Sequence, residues 1–235
     1  MPAYASLVAL ESGLGNSEAS LDLVNQLRAN LPESSAAAII EGDLLMRREK
    51  FAEAAKVYQA GLEIGETSEL VIRLYHARTQ LGEMVSAFEF LENWTKRHPK
   101  DFDARRVLAS GLIAMGRLED GAAHHEKLLQ ERPDDVGILN NLAWIYQRLG
   151  YPRAISVAER AYSLAPNMAA AIDTLGWILV QQGNPERGLP LLREAHARAS
   201  REGSLRYHLA VALNQLGRVE EARRELEAAL ETDEF

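Results

Sequence analysis

Histidine and carboxylate side chains are the groups in this sequence that could support metal or acid–base chemistry, because the chain has six histidines and no cysteine. The absence of cysteine excludes disulfides, thiolate zinc sites and a cysteine nucleophile. His124 and His125 are the best metal candidates, but neighbouring residues on a helix point about 100° apart and cannot face one ion together. The remaining histidines show no HExxH or similar spacing; they are His76, His98, His196 and His208. The sequence therefore predicts no metal site.

Two other patterns that could suggest chemistry have simpler explanations. Gly13-Leu14-Gly15 lacks the preceding strand and the third glycine of a nucleotide-binding fingerprint, and a helix-capping turn explains it better. The acidic residues Glu220 and Glu221, followed by basic residues, are typical of a solvated helix face. With no nucleophile–base pair in view, we expect a protein that is not an enzyme and that needs no cofactor.

Charge and hydropathy argue against nucleic-acid binding, a membrane span and a signal peptide. Lys and Arg total 26 against 34 Asp and Glu, so the net charge of -8 repels phosphate backbones and makes nucleic acid an unfavourable partner. No apolar run approaches the roughly 20 residues that span a bilayer, so we expect no transmembrane segment in this sequence. The opening MPAYASLVALESGLG has no basic region and includes Glu11, which is not typical of a signal peptide. We expect the chain to begin mature, or inside a longer protein.

One eleven-residue pattern returns along the chain. NNLAWIYQRLG begins at Asn140, DTLGWILVQQG at Asp173 and YHLAVALNQLG at Tyr207. Aligning their final glycines and extending backwards gives a column in which neighbouring members are 33 or 34 residues apart, with Glu49 as the one member that is not glycine; it contains Gly15, Glu49, Gly82, Gly116, Gly150, Gly183 and Gly217. A constant period of this size indicates a repeat array that covers the whole chain.

Each repeat contains two helices. Apolar residues such as Leu142, Ile145 and Leu149 recur at three- and four-residue spacing before the column glycine, which predicts an amphipathic helix. The glycine then ends that helix, because it accepts a left-handed conformation without steric cost. A second helix follows and in four repeats stops near a proline; these are Pro32, Pro99, Pro133 and Pro166.

The period, the two-helix unit and the columns of small residues resemble the tetratricopeptide repeat family. The leucine-plus-small pairs of the first helices include Leu108-Ala109, Leu142-Ala143, Leu175-Gly176 and Leu209-Ala210, and the small residues of the second helices are Ala54, Ala87, Gly121, Ala154, Gly188 and Ala222. The resemblance implies an all-α fold, a right-handed superhelical solenoid, with first helices on its concave side. We expect a single array over residues 1–235, with repeats at about 1–34, 35–67, 68–101, 102–135, 136–168, 169–202 and 203–235.

The resemblance also implies where a ligand would bind. In this family ligand contacts usually come from fixed first-helix positions facing the concave groove. In the last three repeats, we expect the partner-binding residues Asn140, Trp144, Gln147, Arg148, Asp173, Trp177, Gln181, Tyr207 and Asn214; Val180 occupies another groove position. Trp144 and Trp177 are equivalent, so they should lie about 10 Å apart. Two alternatives remain: the indoles form a recognition surface, or each packs against the next repeat and is largely buried.

One known groove type does not fit. The family's carboxylate clamp needs lysine or arginine together with asparagine at groove positions of neighbouring repeats. Trp144 and Trp177 stand at the asparagine-type position and the lysines are missing. We therefore do not expect a clamp for the C-terminal carboxylate of a partner.

The last three repeats are also similar to those of bacterial tetratricopeptide lipoproteins associated with PEP-CTERM/exosortase and exopolysaccharide systems. This resemblance implies a location in the cell envelope; without it, the chain would be cytoplasmic. We expect a non-catalytic scaffold that binds an extended peptide or helix of a partner protein in the concave groove. The alternative is a groove that binds polysaccharide, with sugars stacked on the indoles and hydroxyls bonded to Asn140, Asp173 and Asn214.

Overall fold

The computed structural model of the chain describes residues 2–200 and 202–231. This part contains fourteen α-helices, which in chain order are α1 (Pro2–Gly13), α2 (Ser17–Asn30), α3 (Ala36–Arg47), α4 (Phe51–Ile64), α5 (Ser68–Gln80), α6 (Met84–Arg97), α7 (Phe102–Ala114), α8 (Leu118–Glu131), α9 (Val136–Arg148), α10 (Ala154–Leu164), α11 (Ala169–Gln181), α12 (Pro185–Arg198), α13 (Gly203–Gln215) and α14 (Val219–Leu230). The predicted all-α repeat fold is confirmed. None of these helices is both long and apolar enough to cross a bilayer.

The helices belong to two compact units, Met1–Gly111 and Leu112–Phe235, and the boundary between the units falls inside α7. In unit 1, each helix from α1 to α5 packs against the next one. In unit 2, the same holds from α8 to α13, and the first helices α9, α11 and α13 also contact one another in sequence. Each unit is thus a stack of helical hairpins, as expected of repeats that cannot bury their apolar faces alone. The single array over residues 1–235 stays a prediction.

The aligned column marks the end of every first helix. All six of its glycines have a positive φ, between 70° and 80°, and Glu49 has a φ of 57°. At Glu49 the amide of Lys50 bonds to the carbonyl of Leu45, which is the hydrogen bond of a left-handed helix end. Position 49 therefore keeps the turn of the other repeats although it carries a side chain.

We expect replacement of Glu49 by glycine to stabilise the protein. The left-handed conformation costs a residue with a Cβ atom about 1–2 kcal/mol, part of which is offset by the greater freedom of glycine in the unfolded chain. The net gain should be about 0.5–1 kcal/mol, seen as a higher melting temperature by circular dichroism. Glu49→Ala is the matched control, because it removes the carboxylate but keeps the Cβ atom. Equal melting of the two variants would contradict the prediction.

The small residues of the aligned columns lie where helices touch. Gly176 and Gly188 are buried on α11 and α12. A Cβ atom placed at Gly188 would lie 2.6 Å from the carbonyl oxygen of Gly176 and 2.6 Å from Cγ2 of Val180. The two backbones therefore meet directly at this crossing, which a larger side chain would prevent.

Where a large residue replaces a small one, its neighbour compensates. Tyr75 stands at a column of small residues and is buried. A Cβ atom at Gly111 would lie 2.7 Å from the Tyr75 hydroxyl oxygen, so glycine leaves room for the ring. Trp94 is also buried; its ring stacks on His98 with centroids 3.7 Å apart.

Asp101 links the helices α5, α6 and the start of α7 in unit 1 through hydrogen bonds. Its carboxylate accepts hydrogen bonds from Trp94 Nε1 at 2.6 Å, from Ser68 Oγ at 2.8 Å and from the Ala104 amide at 3.0 Å. Partial burial raises the pKa of Asp101, but these hydrogen bonds and the charge of His98 outweigh it, and the net pKa lies below the usual aspartate value.

This lowered pKa predicts a loss of stability in acid. Since the folded state holds Asp101 ionised more strongly than the unfolded state does, the stabilisation is present above the unfolded pKa, about 3.9. It is lost as the pH falls from that value through the folded pKa. Urea unfolding should show a shallower decline below about pH 4 for Asp101→Asn, which keeps a capping side chain but carries no charge. An unchanged pH profile in this variant would exclude the role of Asp101.

Candidate partner-binding face

All nine residues expected to bind a partner lie in unit 2 on the first helices α9, α11 and α13, and α11 packs against both of the others. We call the side of these helices that carries the nine residues the first-helix face. It is fixed from behind by a core in which Leu142, Leu175 and Leu209 are each at most 5% exposed. The nine side chains thus stand on packed helices rather than on loops, which favours a rigid surface.

Trp144 is half-buried on α9. Its side chain packs against the hydrophobic core that contains Ala143 and Ile145. The guanidinium of Arg148, one turn later, lies 5.2 Å from the centroid of the indole ring. The pair combines apolar area with a positive charge held over an aromatic ring.

Trp177 on α11 is half-buried too, and three side chains hold it. The imidazole of His208 on α13 stacks on its indole, with centroids 4.2 Å apart and ring planes 19° apart. His208 Nδ1 donates a hydrogen bond to Asp173 Oδ1 at 2.8 Å, because a carboxylate can only accept. Tyr207 completes the cluster with its ring centroid 6.0 Å from that of Trp177. Asp173, Trp177, Tyr207 and His208 form what we call the indole cluster.

His208 is the member of this cluster that sequence reasoning missed. It was considered only as a metal ligand, and no spacing supports that role. A usable signal lay in the repeat alignment, since Asp173 and His208 fall at adjacent columns of successive first helices and carry complementary chemistry. Only the packing of α11 against α13 turns that proximity into a hydrogen bond.

The other expected residues differ in exposure. Arg148, Gln181, Tyr207 and Asn214 are exposed, while Gln147 and Asn140 are half-buried. The Oδ1 atom of Asn140 is fully covered and has no hydrogen-bond partner among the described residues. Val180 is completely buried against α12, so its expected place in the groove is wrong; the absence of a side chain at Gly188 draws α12 close enough to cover it.

The two tryptophans therefore share features of both alternatives, a recognition surface and packing against the core. Each tryptophan packs against neighbouring core residues, and neither is fully buried. Trp177 is clamped between α11 and α13, whereas Trp144 makes its aromatic contact with Arg148 of its own helix. An aromatic ring that is already fixed loses little freedom on binding, which favours an anchor position.

Two polar groups outside this face, His125 and Asp43, have structural partners. His125 is buried; its Nδ1 lies 2.9 Å from the Gly121 carbonyl oxygen and its Nε2 lies 3.4 Å from Asn141 Nδ2. Burial lowers the pKa of His125, although the bond to Gly121 raises it somewhat. In unit 1, Asp43 accepts hydrogen bonds from Tyr58 and Arg73. Among residues 2–200 and 202–231, no three histidine or acidic side chains converge as a metal site.

Comparisons with known proteins agree with the repeat alignment. One tetratricopeptide repeat model matches residues 10–69 and another matches residues 179–234. The chain is 25% identical over 197 residues to BBSome complex member BBS4 of Bos taurus, covering 83% of this chain and 38% of that protein. It is 21% identical over 192 residues to Hsp70-Hsp90 organizing protein 1 of Glycine max, covering 81% and 33%. The chain thus spans only 33% and 38% of the length of these curated relatives.

A solved structure shows the same fold. A tetratricopeptide repeat protein from Parabacteroides merdae superposes with a TM-score of 0.73 and 15% identity, covering 86% of this chain and 80% of that one. At this identity the likeness concerns the fold alone. The two matched segments and the aligned helix ends assign this chain to the tetratricopeptide repeat family.

Proposed function

We propose that the chain is a non-catalytic scaffold that binds an extended peptide or a helix of a partner protein on the first-helix face. Proteins of this family generally act as interaction scaffolds, and the names of the two curated relatives describe a complex member and an organizing protein. The observation that carries the proposal is the indole cluster, in which Trp177 is half-buried, fixed by His208 and flanked by exposed Tyr207.

The chemistry of the face suits a peptide. Indole and phenol rings supply large contact areas at low entropic cost, and amide side chains such as Gln181 and Asn214 can bond to a peptide backbone. Arg148 adds a positive charge beside Trp144. A partner segment with apolar side chains and a nearby acidic residue would match this arrangement.

The Asp173–His208 pair does not support an enzyme. An activated nucleophile needs a hydroxyl or thiol within hydrogen-bond reach of the base. The imidazole of His208 bonds to Asp173 and stacks on Trp177, and no hydroxyl is hydrogen-bonded to it in the described part of the chain. The pair therefore serves to hold the indole.

Polysaccharide is the second candidate, and it rests on the similarity of the last three repeats to those of PEP-CTERM/exosortase lipoproteins. That resemblance would place the scaffold in a bacterial exopolysaccharide or protein-sorting system. The half-buried indoles could stack on sugar rings. Two of the three polar groups that such a site would use are less available, since Asp173 is bonded to His208 and Asn140 Oδ1 is covered. This favours the peptide.

Tryptophan fluorescence of the whole chain can separate the two candidates. The probes are peptides selected on the chain from a random phage-displayed library, and oligosaccharides of alginate and cellulose. We expect the selected peptides to give a saturable change in emission and the oligosaccharides to give none. Leu164→Ala, an exposed change on the second helix α10, is the control and should bind like the wild type. Saturable quenching by an oligosaccharide, without a peptide response, would reverse the assignment.

A further inference from the structure

The last hairpin of unit 2 carries an apolar groove of about 440 Å³ between α13 and α14. Tyr207 and Val211 of α13 line one side, and Val219, Leu226 and Leu230 of α14 line the other. Four of these side chains are exposed, and Leu226 has 42% of its surface accessible. We call this the end groove; it borders the first-helix face at Tyr207.

The position of Leu226 is buried in the preceding repeats. Leu226 lies four residues after Ala222, the small residue of its second helix. The residues at the same distance from the corresponding position in the six preceding repeats are each at most 1% exposed; they are Val24, Tyr58, Leu91, His125, Ala158 and Leu192. In three of these repeats the cover comes from the first helix of the next hairpin. Leu192 clusters with Leu209 and Ala212. Ala158 clusters with Leu175 and Ile178, and Tyr58 with Leu74 and Ala77. The end groove thus corresponds to the surface that, at the internal junctions between repeats, is covered by the first helix of the next repeat.

The same chain exposes the complementary surface. On α1 in unit 1, Leu7 is 46% and Leu10 is 57% exposed. By the repeat alignment, Leu7 corresponds to Leu74, Leu175 and Leu209, and Leu10 to Ala77, Ile178 and Ala212. These are the residues that cover the counterparts of Leu226 in the internal junctions. α1 therefore presents, uncovered, the two side chains that a first helix uses to fill such a groove.

We infer that the end groove of one copy binds α1 of a second copy, with Leu226 packing on Leu7 and Leu10 of its neighbour. The contact would repeat an internal junction between molecules, so its register follows from the alignment. Because the two surfaces differ, the contact is head-to-tail and each added copy again presents a free end groove and a free α1. The expected product is a head-to-tail assembly of copies whose size grows with concentration.

Sedimentation velocity of the 235-residue chain, with a pair of complementary variants, tests this inference. The buffer holds about 0.15 M salt, because the charge of -8 on each copy opposes association and salt screens it. The wild type should sediment as a concentration-dependent series of species. Leu226→Glu blocks the groove and Leu10→Glu blocks α1, so each variant alone should be monomeric or associate at least about tenfold more weakly.

A mixture of the two variants tests directly whether the end groove binds α1. Leu226→Glu keeps an intact α1 and Leu10→Glu keeps an intact end groove, so an equimolar mixture should form one wild-type junction and stop at a dimer. Both substituted residues are exposed, and circular dichroism verifies that the helices are kept. Leu164→Glu, at another exposed leucine, should associate like the wild type.

Three results would overturn the inference. They are a wild type that stays monomeric at every concentration, an association that Leu226→Glu and Leu10→Glu leave unchanged, and a mixture of the two variants that remains monomeric. Tyr207 and Asn214 line the end groove and also belong to the first-helix face. Peptide binding is therefore measured on Leu226→Glu and Leu10→Glu, which should not self-associate and keep every residue of the first-helix face, so that the two proposals can fail separately.

Discussion

Replacing Gly188 with alanine is expected to lower the stability of the protein, although the same change in an open helix raises it. Alanine is favoured over glycine in a helix interior by about 1 kcal/mol. At Gly188, however, the new Cβ atom would lie 2.6 Å from the Gly176 carbonyl oxygen, which is backbone and cannot rotate away. α11 and α12 would have to separate, and overpacking of this kind typically costs about 1–3 kcal/mol.

Thermal unfolding followed by circular dichroism measures the effect of this change. A loss of about 1–3 kcal/mol should lower the melting temperature by several degrees in a chain of this size. Gly13→Ala is the matched control, since Gly13 is helical in α1 and a Cβ atom there meets nothing within 4 Å. It should melt at the wild-type temperature or above. A Gly188→Ala variant that melts higher than the wild type would show that the two helices do not meet at this glycine.

Replacing Trp177 with alanine is expected to weaken binding of a selected peptide more than any other single change on the first-helix face. Central aromatic anchors typically contribute 2 kcal/mol or more on truncation, which corresponds to a loss of affinity of about thirtyfold. Trp177 meets the conditions for such an anchor, because His208 fixes its indole and Asp173 fixes His208. Trp144 lacks a comparable clamp between helices and should lose less.

Calorimetric titration of the peptide into each variant provides the measurement. Trp177→Phe serves as a second variant, because it keeps apolar packing against the core and separates loss of binding from loss of folding. Its affinity should lie between those of the wild type and Trp177→Ala. His208→Ala should give a smaller loss, since the indole remains but is held less firmly. Wild-type affinity in both Trp177 variants would remove this residue from the binding site.

The sequence predicted the architecture well because each repeat signals its own helix ends. Glu49 illustrates how far the alignment reaches: it was placed in the glycine column by spacing alone, and it has the left-handed conformation of the other members. The small columns were equally informative, since they placed Gly176 and Gly188 at one crossing, where a Cβ atom at Gly188 would lie 2.6 Å from the Gly176 carbonyl oxygen. At these positions the repeat period predicts the structure although local propensity disfavours it, because glutamate resists a left-handed conformation and glycine weakens a helix interior.

The details of the face could not be predicted in the same way. The hydrogen bond between His208 and Asp173 joins two repeats, so it depends on how α11 and α13 pack rather than on either helix. Val180 was placed on the surface from its position in the repeat, but the close approach of α12 at Gly188 covers it. The exposure of a side chain in a repeat array depends on how closely the adjacent helix packs. The position of the residue within its repeat does not describe that distance.

The indole N–H signals of the three tryptophans in a ¹H–¹⁵N spectrum test the proposed binding face most directly. Trp144 and Trp177 lie on that face, while Trp94 is buried in unit 1 with its Nε1 bonded to Asp101, and it serves as an internal reference. Titration with a selected peptide should shift the signals of Trp144 and Trp177 and leave that of Trp94 in place. Saturation of binding with the Trp144 and Trp177 signals unmoved would contradict the account.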